Sequence, residues 1–561
     1  MKKQQYYSVA LLLFVFCCQV KRDRDQLQRE LQSINLLRGD IALCGTEDAR
    51  FGKVEFGLSC LKKVQANFDL ATALLHSFEY AEAEKVFAKV IDEDPECLMA
   101  YWGVAMSNFH PLWAPPTKEE LEKGSRAIHL ARSLESKSPR ESSYLEAVGA
   151  LYDNWDELDH NTRILKFEKA AEKIYLKYPA DQEAAIFYAL ALRAASDPAD
   201  KTFTRQRKAG AILNSIFPNE PDHPGIAHYL IHTYDYPELA ALALPAARKY
   251  ASIAASSAHA LHMPSHIFTR LGLWDESVQS NINSMSAARC YAENSGMKGH
   301  WDEELHGMDY LVYAYLQQAS DEMAREQLEY LKTIEAVSPL SNKDAYTFAA
   351  VPTRYALERR NWEEALRLEL KPDSFPWGNF PWERSNVLFG RVLGAVHLHK
   401  PDFAKANLAA LKASHAMLME GGKAYEANQV QIQINASEAW IQFLEGHSSE
   451  AIRLMTEAAN MEDASEKPPV TPGEVIPARE LLGDLFMEMK EYSKALEAYE
   501  SDLKRHPGRF NGLYGAGVAA KKSGAREKAV EYFQQLLAMA KLSDKKRAAV
   551  AEAEMFLKEN I

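Results

Sequence analysis

The chain has 561 residues, of which 47% are hydrophobic and 25% are charged, and its formal net charge at pH 7 is −13. This length exceeds what a single hydrophobic core supports, whereas a solenoid of repeats has no such limit because each repeat contacts only its neighbours. The acidic balance and the lack of an evident basic face argue against a nucleic-acid partner, since nothing would offset phosphate repulsion. No run after the first twenty residues is long and apolar enough to span a bilayer.

The first 18 residues predict a signal peptide of the lipoprotein type. Lys2 and Lys3 precede an apolar run over 6–16, which has the length of a signal h-region and is short for a membrane helix. Cys18 is the predicted lipidation site, because Val15 stands three residues before it. The alternatives are a soluble exported protein, an uncleaved anchor and an accidental apolar start. We therefore expect an exported protein, either periplasmic or held at the membrane only by an N-terminal lipid anchor.

Residues 19–60 form an N-terminal segment before the first repeat and contain two cysteines. Cys44 and Cys60 bracket a short stretch, and in an oxidising compartment they would close a small loop. Two buried thiols are the alternative. The predicted disulfide is Cys44–Cys60.

Residues 61–345 predict a solenoid of tetratricopeptide (TPR) type. Ala83, Phe87 and Pro95 fall at the small, aromatic and proline positions of a TPR unit. The small residue lets two antiparallel helices approach, the aromatic fills the space beside it, and the proline ends the second helix.

The centre of this solenoid is rich in histidine. His228 and His232 lie one helical turn apart, as do His262 and His266 in the next repeat, and Pro264 is expected to kink the second of these helices. In TPR phasing both pairs lie on first helices, which line the concave surface. Four imidazoles would therefore converge on one place, as in a site for a divalent transition metal.

A larger set of polar residues was predicted to line the groove or to orient these ligands, namely His76, His110, His223, Asp235, His259, His306, Asp309 and Tyr310. The alternative to a metal site is a polar concave wall, because histidine and tyrosine hydrogen-bond to peptide ligands and stack on them. No HExxH motif is present, so the familiar helix-borne zinc hydrolase arrangement is absent.

The remaining chain predicts more repeats. Residues 346–465 read as degenerate helical repeats, 466–477 as a proline-rich linker, and 478–561 as two TPR units with a capping helix. Gly483 and Tyr499 have counterparts 34 residues later in Gly517 and Phe533. The whole pattern predicts an all-α protein, a TPR-type α-solenoid in which antiparallel helix pairs wind into a right-handed superhelix.

The sequence resembles a group of bacterial TPR proteins of five to six hundred residues with a histidine-rich centre. The resemblance covers roughly Cys44 to Trp382, and it is carried by Ser59-Cys60, Leu74 to Phe78, His110 to Trp113, Ile231 to Pro237 and His262 to Phe268. It implies the fold and implies that the histidine-rich segment belongs to the group, but it assigns no reaction.

Two functions are therefore predicted. The first is an exported scaffold that binds a protein or peptide partner in its concave groove. The second is a metal-binding protein or metalloenzyme that uses the histidine cluster. The sequence contains no phosphate-binding GxxxxGK[ST] motif and no GxSxG nucleophile elbow, so it indicates no other chemistry.

Overall fold

The structure is a computed structural model that describes residues 24–42, 44, 50–112, 115–135, 138–198, 200–465, 471–544 and 547–560. The predicted signal peptide and its lipidation site, Cys18, lie outside this part of the chain. No helix of the described residues is both long enough and apolar enough to cross a membrane.

Most of the described residues are helical. The N-terminal part contains α1 (Arg24–Ile34), α2 (Gln65–His76), α3 (Tyr80–Glu93), α4 (Leu98–Ser107), α5 (Lys118–Arg132), α6 (Pro139–Tyr152), α7 (His160–Lys177), α8 (Gln182–Ala194) and α9 (Thr204–Ile216). The centre contains α10 (Pro224–Tyr234), α11 (Ala240–Ile253), α12 (Ala258–His262), α13 (Pro264–Arg270), α14 (Trp274–Asn294), α15 (Asp302–Gln317) and α16 (Asp321–Leu331).

The C-terminal part continues in the same way. It contains α17 (Asn342–Leu357), α18 (Trp362–Leu366), α19 (Pro381–His397), α20 (Pro401–Glu420), α21 (Ala424–Leu444), α22 (Ser448–Ala464), α23 (Ala478–Glu488), α24 (Tyr492–Arg505), α25 (Phe510–Ser523), α26 (Arg526–Met539) and α27 (Ala548–Asn560). Short 3-10 helices span Lys62–Val64, Trp377–Asn379 and Ala540–Leu542. Two strands of two residues, β1 (His300–Trp301) and β2 (Val337–Ser338), pair in parallel beside α15.

This architecture confirms the predicted all-α solenoid of TPR type. The small residues stand where helices cross closely: a Cβ added to Gly483 would lie 2.7 Å from the Tyr499 ring, and one added to Gly517 would lie 2.7 Å from the Phe533 ring. The predicted reason for the 34-residue pattern therefore holds in the C-terminal repeats. In the N-terminal repeat, Ala83 and Phe87 are fully buried in the same way.

The hydrophobic core is divided along the chain. One large cluster extends from Ile34 to Phe268, and others extend from Met285 to Phe380 and from Ala319 to Phe556. The histidine-rich helices α10 to α15 lie where the first of these clusters ends and the next begin.

The C-terminal repeats fold back onto the centre through a buried ion-pair network. The Arg509 guanidinium lies 2.8 Å from a carboxylate oxygen of Glu480 and 2.9 Å from one of Glu358, and all three side chains are fully buried. Arg509 also donates to the hydroxyl of Tyr313 on α15 at 2.9 Å. Because the charges are paired inside the protein, they fix the position of the last repeats against the first helices of the centre.

The described part of the predicted proline-rich linker is packed rather than exposed. Thr471, Val475 and Ile476 are buried. The carbonyl of Gly473 and the hydroxyl of Thr471 both accept hydrogen bonds from Arg354. Residues 471–477 therefore occupy part of the interior of the superhelix.

The predicted disulfide between Cys44 and Cys60 is wrong. Cys44 is bonded to Cys290 on α14, with a Cα–Cα distance of 5.8 Å, and Cys60 is bonded to Cys97, with a Cα–Cα distance of 5.1 Å. The reason is the path of the chain, because the N-terminal segment runs across several repeats and brings each cysteine to a partner that is distant in sequence. Both bridges therefore attach this segment to the solenoid.

Candidate metal centre

Six histidines of the centre form two compact groups of three. In each group, one nitrogen from every imidazole lies within 4.8 Å of the others, and all six side chains are buried. The first histidine cluster consists of His228, His232 and His259, and the second histidine cluster consists of His262, His266 and His306.

The structure places the four histidines that were predicted to converge on one place in two separate groups of three. Each predicted pair stays together, but the pairs lie on first helices of successive repeats and are displaced from each other along the solenoid. Each pair meets a histidine from the following first helix: His259 begins α12, and His306 lies on α15. These two residues were predicted only as groove-lining or orienting residues.

The first histidine cluster is built by α10 against the end of α2. Pro224 occupies the first turn of α10, where its missing N–H costs no hydrogen bond. Gly225 follows, and a Cβ at this position would lie 2.5 Å from the His76 imidazole, so only glycine allows this approach. Nδ1 of His228 then donates to the backbone carbonyl of His76 at 2.6 Å. This bond fixes the tautomer, and it leaves Nε2 of His228 as the atom with a lone pair.

The second histidine cluster is built around a break between α12 and α13. Ser257 caps α12 by accepting a hydrogen bond from the N–H of Ala260 at 3.1 Å. Pro264 is the first residue of α13, in agreement with the predicted disruption of the helix at this proline. Nδ1 of His262 donates to Oδ1 of Asn281 at 2.7 Å, and Nδ1 of His266 donates to Oδ2 of Asp235 at 3.0 Å.

These two hydrogen bonds decide which atoms of the second cluster are available to a ligand. With both Nδ1 atoms protonated, the Nε2 atoms of His262 and His266 carry lone pairs, yet they lie only 3.0 Å apart. Two lone pairs at this distance repel each other. A tetrahedral Zn²⁺ with bonds of 2.0–2.1 Å would hold two such nitrogens roughly 3.3 Å apart, so the spacing fits a shared metal ion.

The first histidine cluster has the same close approach. Nε2 of His228 lies 3.1 Å from Nε2 of His259. Nε2 of His232 is buried and has no hydrogen-bond partner among the described residues, and the same is true of Nδ1 of His306 in the second cluster. A buried nitrogen without a partner is costly, so each cluster contains an atom that a ligand from outside the chain could satisfy.

The electrostatic environment favours the neutral form of four of the six imidazoles. Burial lowers the pKa of His228, His232, His262 and His306 well below the usual value. Neighbouring histidines lower the pKa of the first three further. Neutral imidazole is the form that binds a metal, so these side chains do not have to lose a proton first at neutral pH.

Two carboxylates lie beside the clusters. Asp235, at the end of α10, also accepts from Nε of Arg270 at 2.9 Å. Glu303 lies 3.9 Å from Nδ1 of His259. Although burial opposes its ionisation, the Lys343 ammonium and His259 hold the pKa of Glu303 well below its usual range. Both carboxylates are therefore in position to orient histidine ligands, as is common around protein metal sites.

An aromatic ring covers each cluster. The Phe78 ring centroid lies 4.3 Å, 5.5 Å and 5.6 Å from those of the three histidines of the first cluster. The Tyr310 ring centroid lies 4.8 Å, 5.0 Å and 5.5 Å from those of the second cluster. The Tyr310 hydroxyl donates to the carbonyl of Thr471 at 3.0 Å. Bulk water is thus kept away from both groups of nitrogens.

The other predicted residues belong to separate interactions. His76 and His223 each bind the carboxylate of Glu183, at 3.0 Å and 2.8 Å, and these three residues form a separate group. His110 contacts the Tyr80 ring and lies 3.7 Å from a carboxylate oxygen of Glu120. Asp309 pairs with Arg354 rather than with a histidine.

Sequence reasoning missed the roles of Phe78, Asn281 and Glu303, because each lies outside the helices of the histidines that it contacts and has no local pattern. The pairing of the histidines does have a local pattern. His228 and His262 are 34 residues apart, as are His232 and His266, so the histidines recur with the period of the fold. This period predicts stacked sites of the same kind rather than one shared site.

No protein-family profile and no curated protein matches the chain. Similar solved structures include a human IFIT1 dimer with PPP-AAAA, which is 13% identical, covers 92% of this chain and 95% of that chain, and has a TM-score of 0.34. A human IFIT1 dimer with m7Gppp-AAAA is 13% identical over 78% and 90%, with a TM-score of 0.30, and the TPR domain of P58(IPK) is 12% identical over 68% and 99%, with a TM-score of 0.21. These values carry no argument about function.

Proposed function

We propose that this protein binds divalent transition-metal ions, one in each histidine cluster. The observation that carries the proposal is the pair of Nε2 atoms of His262 and His266, which face each other at 3.0 Å while both Nδ1 atoms donate to other groups. A metal ion between them removes the repulsion of the two lone pairs, and His306 supplies the third nitrogen.

The donor set indicates the class of metal. Three imidazoles and no thiolate suit zinc, copper, iron or nickel. Three protein ligands leave a fourth position for a small exogenous ligand, which is the arrangement of catalytic rather than structural zinc sites. Such an ion supplies Lewis acidity or, for copper and iron, electron transfer. The residues of this chain bind the ion, fix the imidazole tautomers and exclude bulk water.

A metal in either cluster would connect two helices that carry the concave face. The first cluster joins α10 to α12, and the second joins α12 and α13 to α15. Because ligands on successive repeats are connected, metal binding is expected to stabilise the folded state.

The partner predicted for a TPR scaffold is proposed to use a different surface. All six clustered histidines are buried, so a peptide in the groove would not contact them directly. Residues 471–477 already lie in the interior, where their polar groups bind Arg354 and Tyr310.

Export through the lipoprotein signal is also proposed. The two disulfides support it, because such bonds persist in oxidising compartments and are rare in the cytosol. If Cys18 carries the lipid, the Cys18→Ser protein leaves the membrane fraction or stays unprocessed. Processed Cys18→Ser protein that stays at the membrane would overturn this part of the proposal.

Metal titration of the full chain tests the principal proposal. After treatment with a chelator, the protein is titrated with Zn²⁺ while the bound metal and the melting temperature are measured. We expect two bound ions per chain and a higher melting temperature that the chelator reverses. His232→Ala and His306→Ala should each lose one of the two ions.

His129 provides the matched control, because it is an exposed histidine on α5. His129→Ala should bind two ions like the natural protein. The competing interpretation is a proton shared between the facing nitrogens. In that case Zn²⁺ would not bind in stoichiometric amount, and the chelator would not change the melting temperature.

A further inference from the structure

The two clusters share a helix and two carboxylates. We propose that they form one dinuclear metal centre, which binds a small anion at the positions that the histidines leave open. This inference rests on the proposed function, since it requires that each cluster bind a metal. It concerns how the two ions act together, whereas the ions of two independent structural sites would act separately.

The first argument is the shared helix. α12 has only five residues, and it supplies His259 to the first cluster and His262 to the second. Residues three apart on a helix are neighbours, with Cβ atoms about 5–6 Å from each other. Since their imidazoles serve different clusters from the same short helix, the two ions would be on the order of 10 Å apart.

The second argument is the exchange of carboxylates between the clusters. Asp235 ends the helix that carries His228 and His232, yet it accepts from Nδ1 of His266 in the second cluster. Glu303 lies on the helix that carries His306, yet its carboxylate is 3.9 Å from Nδ1 of His259 in the first cluster. Each cluster therefore lies beside a carboxylate from the helix that supplies the other one, so the two sites are structurally connected.

The third argument concerns charge. Two divalent ions would bring four positive charges, while the six imidazole ligands are neutral. Asp235 and Glu303 are negative, but Arg270 pairs with Asp235, and Lys343 is shared between Glu303 and Asp302, so the carboxylates offset only part of this charge. The filled centre would thus retain an excess positive charge inside the protein, which a bound anion reduces.

The fourth argument concerns the size of that anion. Each cluster contains three ligands within the part of the chain described, so one tetrahedral position of each ion is left to an external group. The Phe78 ring covers the first cluster and the Tyr310 ring covers the second, and both rings are buried. Because both rings are buried, the external group would be hydroxide, azide or another anion of a few atoms, and not a peptide or a nucleotide.

Electron paramagnetic resonance of the copper-loaded full chain tests the proposal. Cu²⁺ is added at one and at two equivalents, and a third sample receives one equivalent of Zn²⁺ and then one of Cu²⁺. We expect the signal at two equivalents to be broadened by coupling between the two ions and to show a half-field line. The zinc–copper sample should lose the half-field line, because Zn²⁺ is diamagnetic. This comparison needs no substitution, so it does not depend on a variant that folds.

Variants and azide complete the experiment. His306→Ala should give the narrow spectrum of a single ion, whereas His129→Ala should keep the coupled spectrum. Azide added to the two-copper protein should change that spectrum and produce a new absorption band. Two bound Cu²⁺ ions with additive, uncoupled spectra would overturn the dinuclear centre and leave the proposed metal binding intact. An unchanged spectrum with azide would overturn the anion site, and a failure to bind either metal would overturn the proposed function as well.

Discussion

The two disulfides make different contributions to stability, and their removal gives a quantitative prediction. Cys60 and Cys97 are 37 residues apart, whereas Cys44 and Cys290 are 246 residues apart. Loop-closure entropy depends on this separation, so the shorter loop should contribute about 4 kcal/mol and the longer one about 5.5 kcal/mol at 25 °C. The Cys60→Ser/Cys97→Ser and Cys44→Ser/Cys290→Ser proteins should lose about these amounts from the free energy of unfolding.

The assay is denaturant unfolding of the oxidised proteins, together with peptide mapping under non-reducing conditions. Each double variant avoids an unpaired partner thiol. The pairing itself is tested by the Cys97→Ser/Cys290→Ser protein, in which Cys44 and Cys60 should both react with a thiol reagent. If these two cysteines were instead bonded to each other, neither would react in that protein, and the path of the N-terminal segment across the repeats would be refuted.

Three further predictions concern the buried charges, the helix crossings and pH. Arg509→Met leaves Glu480 without its buried partner and should cost about 3–5 kcal/mol in a denaturant titration, while Arg453→Met, in an exposed pair, should cost less than about 1 kcal/mol. Gly515→Ala places a methyl group 2.4 Å from a buried tyrosine ring and should cost about 1–3 kcal/mol, whereas Gly378→Ala, with nothing within 4 Å, should be nearly neutral. Because burial lowers the pKa of four clustered histidines, the Zn²⁺ dissociation constant should rise far less between pH 7 and pH 6 than the roughly thirtyfold expected for three imidazoles with the ordinary pKa. A full thirtyfold rise would contradict the assigned ligands.

Sequence periodicity predicted the fold because it reports contacts between neighbouring helices. Gly483 and Tyr499 lie in the two helices of one unit, so their spacing is set by local geometry and repeats with it. The same reasoning placed His228 with His232, and His262 with His266, and each pair lies in one cluster, although the helix breaks between His262 and His266.

The composition of each cluster was not predictable in this way, because it depends on contacts between repeats. Nothing in the local pattern indicates that His259 faces α10 or that the His76 carbonyl accepts from His228. The disulfide prediction failed for the same reason, since Cys44 and Cys290 are brought together by the winding of more than two hundred residues. Sequence periodicity therefore predicts the helix pair of each repeat, whereas the packing between repeats determines which residues form the histidine clusters and the disulfides.

The most direct test of the central claim is anomalous X-ray diffraction at the absorption edge of the metal, from crystals of metal-loaded full-length protein. The account predicts one anomalous peak in each cluster, with each ion at about 2.0–2.1 Å from three imidazole nitrogens for zinc. One ion would contact His228, His232 and His259, and the other would contact His262, His266 and His306. Anomalous peaks only outside these six residues, such as between His76, Glu183 and His223, would contradict the account. Histidine clusters that stay free of metal in the loaded protein would also contradict it.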